Sequence, residues 1–198
     1  MRSASVESYS RTAIVLHWSI AALVFAQLAL GWWMVDIPKN PVGVRAWWFN
    51  LHKSIGITIG LLVIFRILWR LTHPAPPLPD TLPAWQRAAA KVSHVGLYLC
   101  LLTMPITGYL GSSFTKYPIK YFGYAIPHWG WDAPALKELT SQIHFGTVCV
   151  FMALILVHVT AAVRHLVTRD DRIFQRMWRW PGKTVQEVPA TPAQVPAR

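Results

Sequence analysis

Acidic side chains are scarce in this chain, and cysteines are scarcer. Eight Asp and Glu stand against nineteen Lys and Arg, and only two Cys occur in 198 residues. Charged residues of both signs make up 14% of a chain that is 54% hydrophobic. That is the profile of an integral membrane protein, and the length suits one compact bundle. No Cys-x-x-Cys-His segment occurs, which excludes covalent attachment of a c-type haem. Cys100 and Cys149 both fall in apolar runs and read as small core residues. No internal repeat is evident. The formal net charge of +11 would suit a nucleic-acid binder. Its concentration in short polar segments between apolar runs is better explained by membrane topology, so no nucleic-acid partner is expected.

Four runs are long enough to cross a bilayer core, which needs about 20 apolar residues. They cover residues 14–35, 51–71, 88–110 and 143–167. The first is too long for the apolar stretch of a signal peptide and carries His17, so it reads as a mature span. Pro105 lies near the end of the third run, where neighbouring helices can accommodate a kink. The expected fold class is all-α, a four-helix bundle in the membrane. One domain is expected over residues 1–180, followed by a disordered cytoplasmic tail at 181–198 that is rich in Pro, Ala, Val and Gln.

Positive charge alternates along the connections. The N-terminus, the second connection with its flanking helix ends, and the C-terminal segment hold thirteen of the nineteen Lys and Arg. The first and third connections hold the other six: Lys39, Arg45, Lys53, Lys116, Lys120 and Lys137. The positive-inside rule then puts both termini in the cytoplasm. Residues 73–79 read as a rigid Pro-rich turn on that side. Trp32, Trp33, Trp47, Trp48, Trp129 and Trp131 are placed to form an aromatic belt on the other.

Histidines are the polar residues that stand out within these runs. Ionisable groups at membrane depth are costly and usually functional, and neutral imidazole is a common axial ligand of haem iron. His144 and His158 are 14 residues apart. In a helix that is a rise of about 21 Å and a rotation about 40° short of four full turns, so the two share a face. The topology places His17 and His158 at one depth on the cytoplasmic side, and His52 and His144 at one depth on the outer side. Each pair could hold one b-type haem, and ligating iron also satisfies nitrogens that lipid cannot. A single membrane histidine reads as a core residue bonded to a neighbouring helix; four at paired depths reverse that reading. His94 shares the depth of His17 and His158. It could replace one of them, bond a haem propionate or line a quinone pocket, and the expectation is that it is not a ligand. His165 sits at the interface beside Arg164 and reads as a headgroup or propionate contact. His73 and His128 lie in connections and read as solvated. Gly56, Gly60, Gly96 and Gly146 lie within two turns of the histidines. They serve either porphyrin approach or close helix packing.

Taken together, several segments resemble the bacterial di-haem cytochrome b561 family, which is related to the cytochrome b subunits of hydrogenases and formate dehydrogenases. They are His17-Trp18, His52-Lys53-Ser54-Ile55-Gly56, the Pro-rich turn, His94-x-x-Leu97-Tyr98 with Met104-Pro105-x-x-Gly108, and His144 with His158 fourteen residues on. The resemblance covers about residues 8–180, and its specificity lies in the order and spacing of the pieces. It implies four spans and two haems b per chain, with His17, His52, His144 and His158 as the iron ligands. It further implies a bacterial inner-membrane location, quinone as redox partner and, in some members, oxidation of superoxide at the outer face.

The leading functional expectation is therefore transmembrane electron transfer, with superoxide:quinone oxidoreductase activity as the enzymatic form. Lys53, which follows His52, and Lys116 are the candidates for drawing in an anion; a snorkelling, solvated lysine is the competing reading. A redox partner protein would replace superoxide if the chain were the membrane anchor of a dehydrogenase or hydrogenase. A haem-free transporter relaying protons through its histidines is the alternative from another class.

Overall fold

A computed structural model describes residues 8–41, 43–79, 82–127, 129–168 and 173–178. The expected tail at 181–198 and the solvated His128 lie outside the described residues. Four long helices dominate: α1 (Arg11–Met34), α2 (Val44–Thr72), α3 (Ala84–Ser113) and α4 (Pro134–Thr168). All four are long and apolar enough to span a bilayer. α2, α3 and α4 extend beyond their apolar runs at both ends, and α1 does so at its start. In α4 the extra turns carry Lys137, Glu138 and Gln142, which suit an aqueous or headgroup environment. Local chemistry sets the starts. Ser10 caps α1 by accepting from the Ala13 N–H at 3.3 Å. Pro134 occupies the first position of α4, where its missing N–H costs nothing.

The helices run alternately up and down. α2 packs on α1, α3 on α2 and α4 on α3, whereas α4 makes few direct contacts with α1 or α2. One end of the bundle, here the terminal end, carries the start of α1 and the end of α4. At this end Arg66 joins three helices: its Nη1 donates to the Ala13 carbonyl at 2.8 Å and its Nε to the Tyr98 hydroxyl at 3.0 Å. The indole of Trp69 donates to Ser10 at 3.0 Å. A final turn, α5 (Gln175–Trp178), closes over the same end, and Trp18 Nε1 donates to its Met177 carbonyl at 2.9 Å.

The opposite end carries a feature absent from the all-helical expectation. A two-stranded antiparallel hairpin, β1 (Ile119–Tyr121) and β2 (Tyr124–Ile126), turns through Phe122 and Gly123, with φ of 47° and 96°. Two successive positive φ values are the signature of a two-residue type I′ turn. A phenylalanine is strained in that conformation, and α2 supplies the compensation. Ser54, 1% exposed, accepts the Phe122 N–H at 2.9 Å, and Thr58 meets the Tyr121 hydroxyl at 3.2 Å. The hairpin is thus fastened over α2 near His52.

The dry core is a middle layer of Ile20, Val24, Ile59, Val63, Cys100 and Phe151. Outward faces are apolar too: Phe25, Leu61, Leu99, Phe145 and Leu156 are exposed. A surface of this kind is suited to lipid rather than water. Trp32, Trp33, Trp47, Trp129 and Trp131 are exposed around the hairpin end, with Trp48 half-buried against Trp33 and Trp47.

Candidate functional site

The bundle brings the transmembrane histidines together from separate helices. At the terminal end, His17 of α1 faces His158 of α4 with ring centroids 6.2 Å apart. At the hairpin end, His52 of α2 faces His144 of α4 at 6.5 Å. All four rings are half-buried. Each pair reaches from α4 to a helix with which α4 makes few direct contacts.

The spacing tests whether one iron fits each pair. A metal–imidazole bond is about 2 Å, and the ligating nitrogen lies about 1 Å from its ring centroid. An iron held between two such nitrogens would need ring centroids about 6 Å apart, and His17 with His158 and His52 with His144 would fit it. Among the described residues, no three His, Cys, Asp or Glu converge to hold a bare metal ion.

His94 joins the terminal-end pair from α3, 5.4 Å from His158. It stands beside the pair that His158 forms with His17. His73 is exposed, as a connection residue should be, but its ring stacks on Trp69 at 3.9 Å. His165 is half-buried in the last turn of α4.

The glycines divide by what they face. Gly60 admits Pro105, with a Cβ contact of 3.1 Å; Gly96 admits Leu154 at 2.9 Å; Gly56 admits Gln27 at 3.3 Å. These three serve helix packing, and a Cβ at Gly146 would meet nothing within 4 Å. Two other glycines face the imidazoles. A Cβ at Gly31 would lie 3.0 Å from the His52 ring, and one at Gly108 would lie 3.5 Å from the His144 ring. Gly108 belongs to a segment that carries the resemblance; Gln27 stands out in the sequence only as a polar position in the first apolar run, and Gly31 and Thr107 gave no sequence signal. The positions of these last three follow from which helices become neighbours, and one helix's own pattern does not encode that.

The lysines differ in setting. Lys53 is half-buried in α2 beside His52. Lys116 is exposed in the connection before β1, with its ammonium 5.9 Å from the Tyr117 ring. Arg45 donates to the carbonyls of Val35 and Ile37, and Lys137 pairs with Glu138 at 3.9 Å.

The chain is similar to known proteins. Residues 8–180 match the family described as prokaryotic cytochrome b561. The chain is 34% identical to "Cytochrome b561 homolog 2" of Escherichia coli K12 over 176 residues, covering 86% of this chain and 91% of the relative. It is 25% identical to "Cytochrome b561 homolog 1" of the same organism, over 85% of this chain and 96% of the relative. It is 27% identical to the Yersinia pestis protein named "Probable superoxide oxidase CybB", over 86% of this chain and 96% of that protein. Four apolar helices with histidines inside them, matched across most of the chain, lead to one conclusion: the protein belongs to the prokaryotic cytochrome b561 family, bacterial membrane helical bundles that bind b-type haem and carry electrons across the membrane.

Proposed function

We propose that this chain is a two-haem electron carrier, with His17 and His158 holding one haem b and His52 and His144 the other. The observation that carries the reading is the pair of facing imidazoles at 6.2 and 6.5 Å, set 14 residues apart on α4. Bound haem supplies reversible one-electron chemistry at each pair. The protein's own residues do the rest. α4 fixes the distance between the two sites. Ile20, Val24, Ile59, Val63, Cys100 and Phe151 keep the layer between them free of water. Gly31 and Gly108 give the His52 and His144 rings room against neighbouring backbone.

The charge distribution sets the direction. With Lys and Arg concentrated toward the termini, both termini lie in the cytoplasm of the bacterial inner membrane, and the hairpin end faces outward. In this reading two superoxide ions each give up one electron at the outer face, and a quinone takes up both electrons with two protons. Arg45 and Lys137 are engaged in local contacts. Lys39, Lys53, Lys116 and Lys120 are the other outer-face cations, and of these Lys53, next to His52, and Lys116 are the ones we assign to drawing in the anion.

The test is an absorption spectrum of the purified full-length protein, with its haem-to-protein ratio. Two low-spin haems b per chain are the expected result. A ratio of one, or a protein without haem, overturns the reading.

A further inference from the structure

The four candidate ligands are not held alike. Among the described residues, His144 alone of the four has a side-chain partner on a ring nitrogen. Its Nδ1 lies 2.9 Å from Thr107 Oγ1, across the α3–α4 contact. Thr107 is 7% exposed, and its hydroxyl is also 2.8 Å from the Thr103 carbonyl and 3.1 Å from the Met104 carbonyl. A hydroxyl has one proton, and carbonyl oxygens only accept. Two backbone carbonyls of α3 compete for that proton, and where one of them takes it the lone pairs of Oγ1 face His144. In that arrangement His144 is the donor of the shared bond and its Nδ1 carries the proton. A neutral imidazole has one donor nitrogen and one acceptor nitrogen, which leaves the lone pair on Nε2. His52 offers the contrast: its Nδ1 is buried without a hydrogen-bond partner.

We infer that Thr107 is a positioning residue for the outer haem, fixing the tautomer and orientation of His144 so that Nε2 is its ligating atom. The inference rests on the proposed role of His144 as a ligand. Partners of this kind orient metal-bound histidines and raise their basicity. The two ligands of the outer haem are therefore unequal, with one braced by α3 and the other not.

The test uses full-length protein in detergent and three variants: His144→Ala, Thr107→Val and Thr107→Ser. It reads haem per chain, the rate of haem loss to excess apomyoglobin, and the low-spin electron paramagnetic resonance signal of each haem. His144→Ala should lose one haem. Thr107→Val should release that same haem about 10- to 100-fold faster and shift its resonance signal, while the second haem is unchanged. Thr107→Ser should behave as wild type, because it restores the hydroxyl. If Thr107→Val loses the haem outright, Thr107→Ser decides: wild-type release and signal support the inference, and a defect overturns it. Wild-type behaviour of Thr107→Val alongside haem loss in His144→Ala overturns the positioning role alone. Retention of both haems in His144→Ala overturns the ligand reading, and the inference falls with it.

Discussion

Gln27 on α1 donates its side-chain N–H to the main-chain carbonyl of His52 on α2 at 2.6 Å. The contact ties two helices together at a candidate iron ligand, and Gly56 gives the amide its room. Interhelical hydrogen bonds within membranes average about 0.6 kcal/mol and reach about 1.7 kcal/mol. Gln27→Leu keeps most of the volume and loses the bond, so it should destabilise the bundle within that range. Thermal unfolding followed by circular dichroism checks this. An unchanged midpoint would show that the bond contributes nothing to stability.

Substituting the histidines one at a time should sort them into two pairs. His52→Ala and His144→Ala should each remove one and the same haem and leave the other largely bound. His17→Ala and His158→Ala should remove the other. Reduced-minus-oxidised spectra and redox titration of each variant identify which haem is missing. If His17→Ala and His144→Ala abolished the same haem, the pairing would be wrong.

His94→Ala should retain two low-spin haems. Its ring lies 5.4 Å from His158, beside the pair that His158 forms with His17 at 6.2 Å. The variant is expected to alter the potential of the terminal-end haem or the reactivity with quinone, without changing haem stoichiometry. Haem analysis of the purified variant is the check, and loss of one equivalent would make His94 a ligand.

Steering by outer-face cations is electrostatic and weakens with ionic strength. The rate of haem reduction by superoxide should therefore fall as salt is raised. At low salt it should be several-fold lower in the Lys53→Gln, Lys116→Gln double variant, a magnitude typical of lost steering. Stopped-flow absorbance with both haems in place measures it. A fast rate indifferent to salt and to both lysines would remove steering while leaving the histidine pairs untouched.

The spans were legible because lipid demands long apolar runs and helices satisfy their own backbone. That His17 faces His158 and His52 faces His144 was legible because successive spans must alternate in direction, which sets the two members of each pair at one level. The hairpin was not. Its strands are three residues each, and its turn uses Phe122-Gly123 where Asn-Gly or Asp-Gly would have signalled a type I′ turn. Ser54 makes that turn tolerable from 68 residues away, a tertiary effect that no local pattern records. Arg66 is a similar case. In the sequence it is a basic residue near a helix end, but in the fold its guanidinium joins α1, α2 and α3. Thr107 looked like any hydroxyl in an apolar helix until α4 was laid against it.

Phe151 stands seven residues from His144 and seven from His158, and it is 5% exposed. Seven residues fall about 20° short of two full turns, so all three side chains point into the bundle along one seam. The interval therefore acts as a ruler, and rulers are sensitive to length rather than to lettering. Many apolar exchanges between these positions would leave both imidazoles where they are. Adding or deleting one residue would swing one imidazole about 100° around the helix axis and shift it about 1.5 Å along it, out of reach of its partner. α4 is thus a segment in which a frame-preserving change of a single codon's length does more harm than several substitutions.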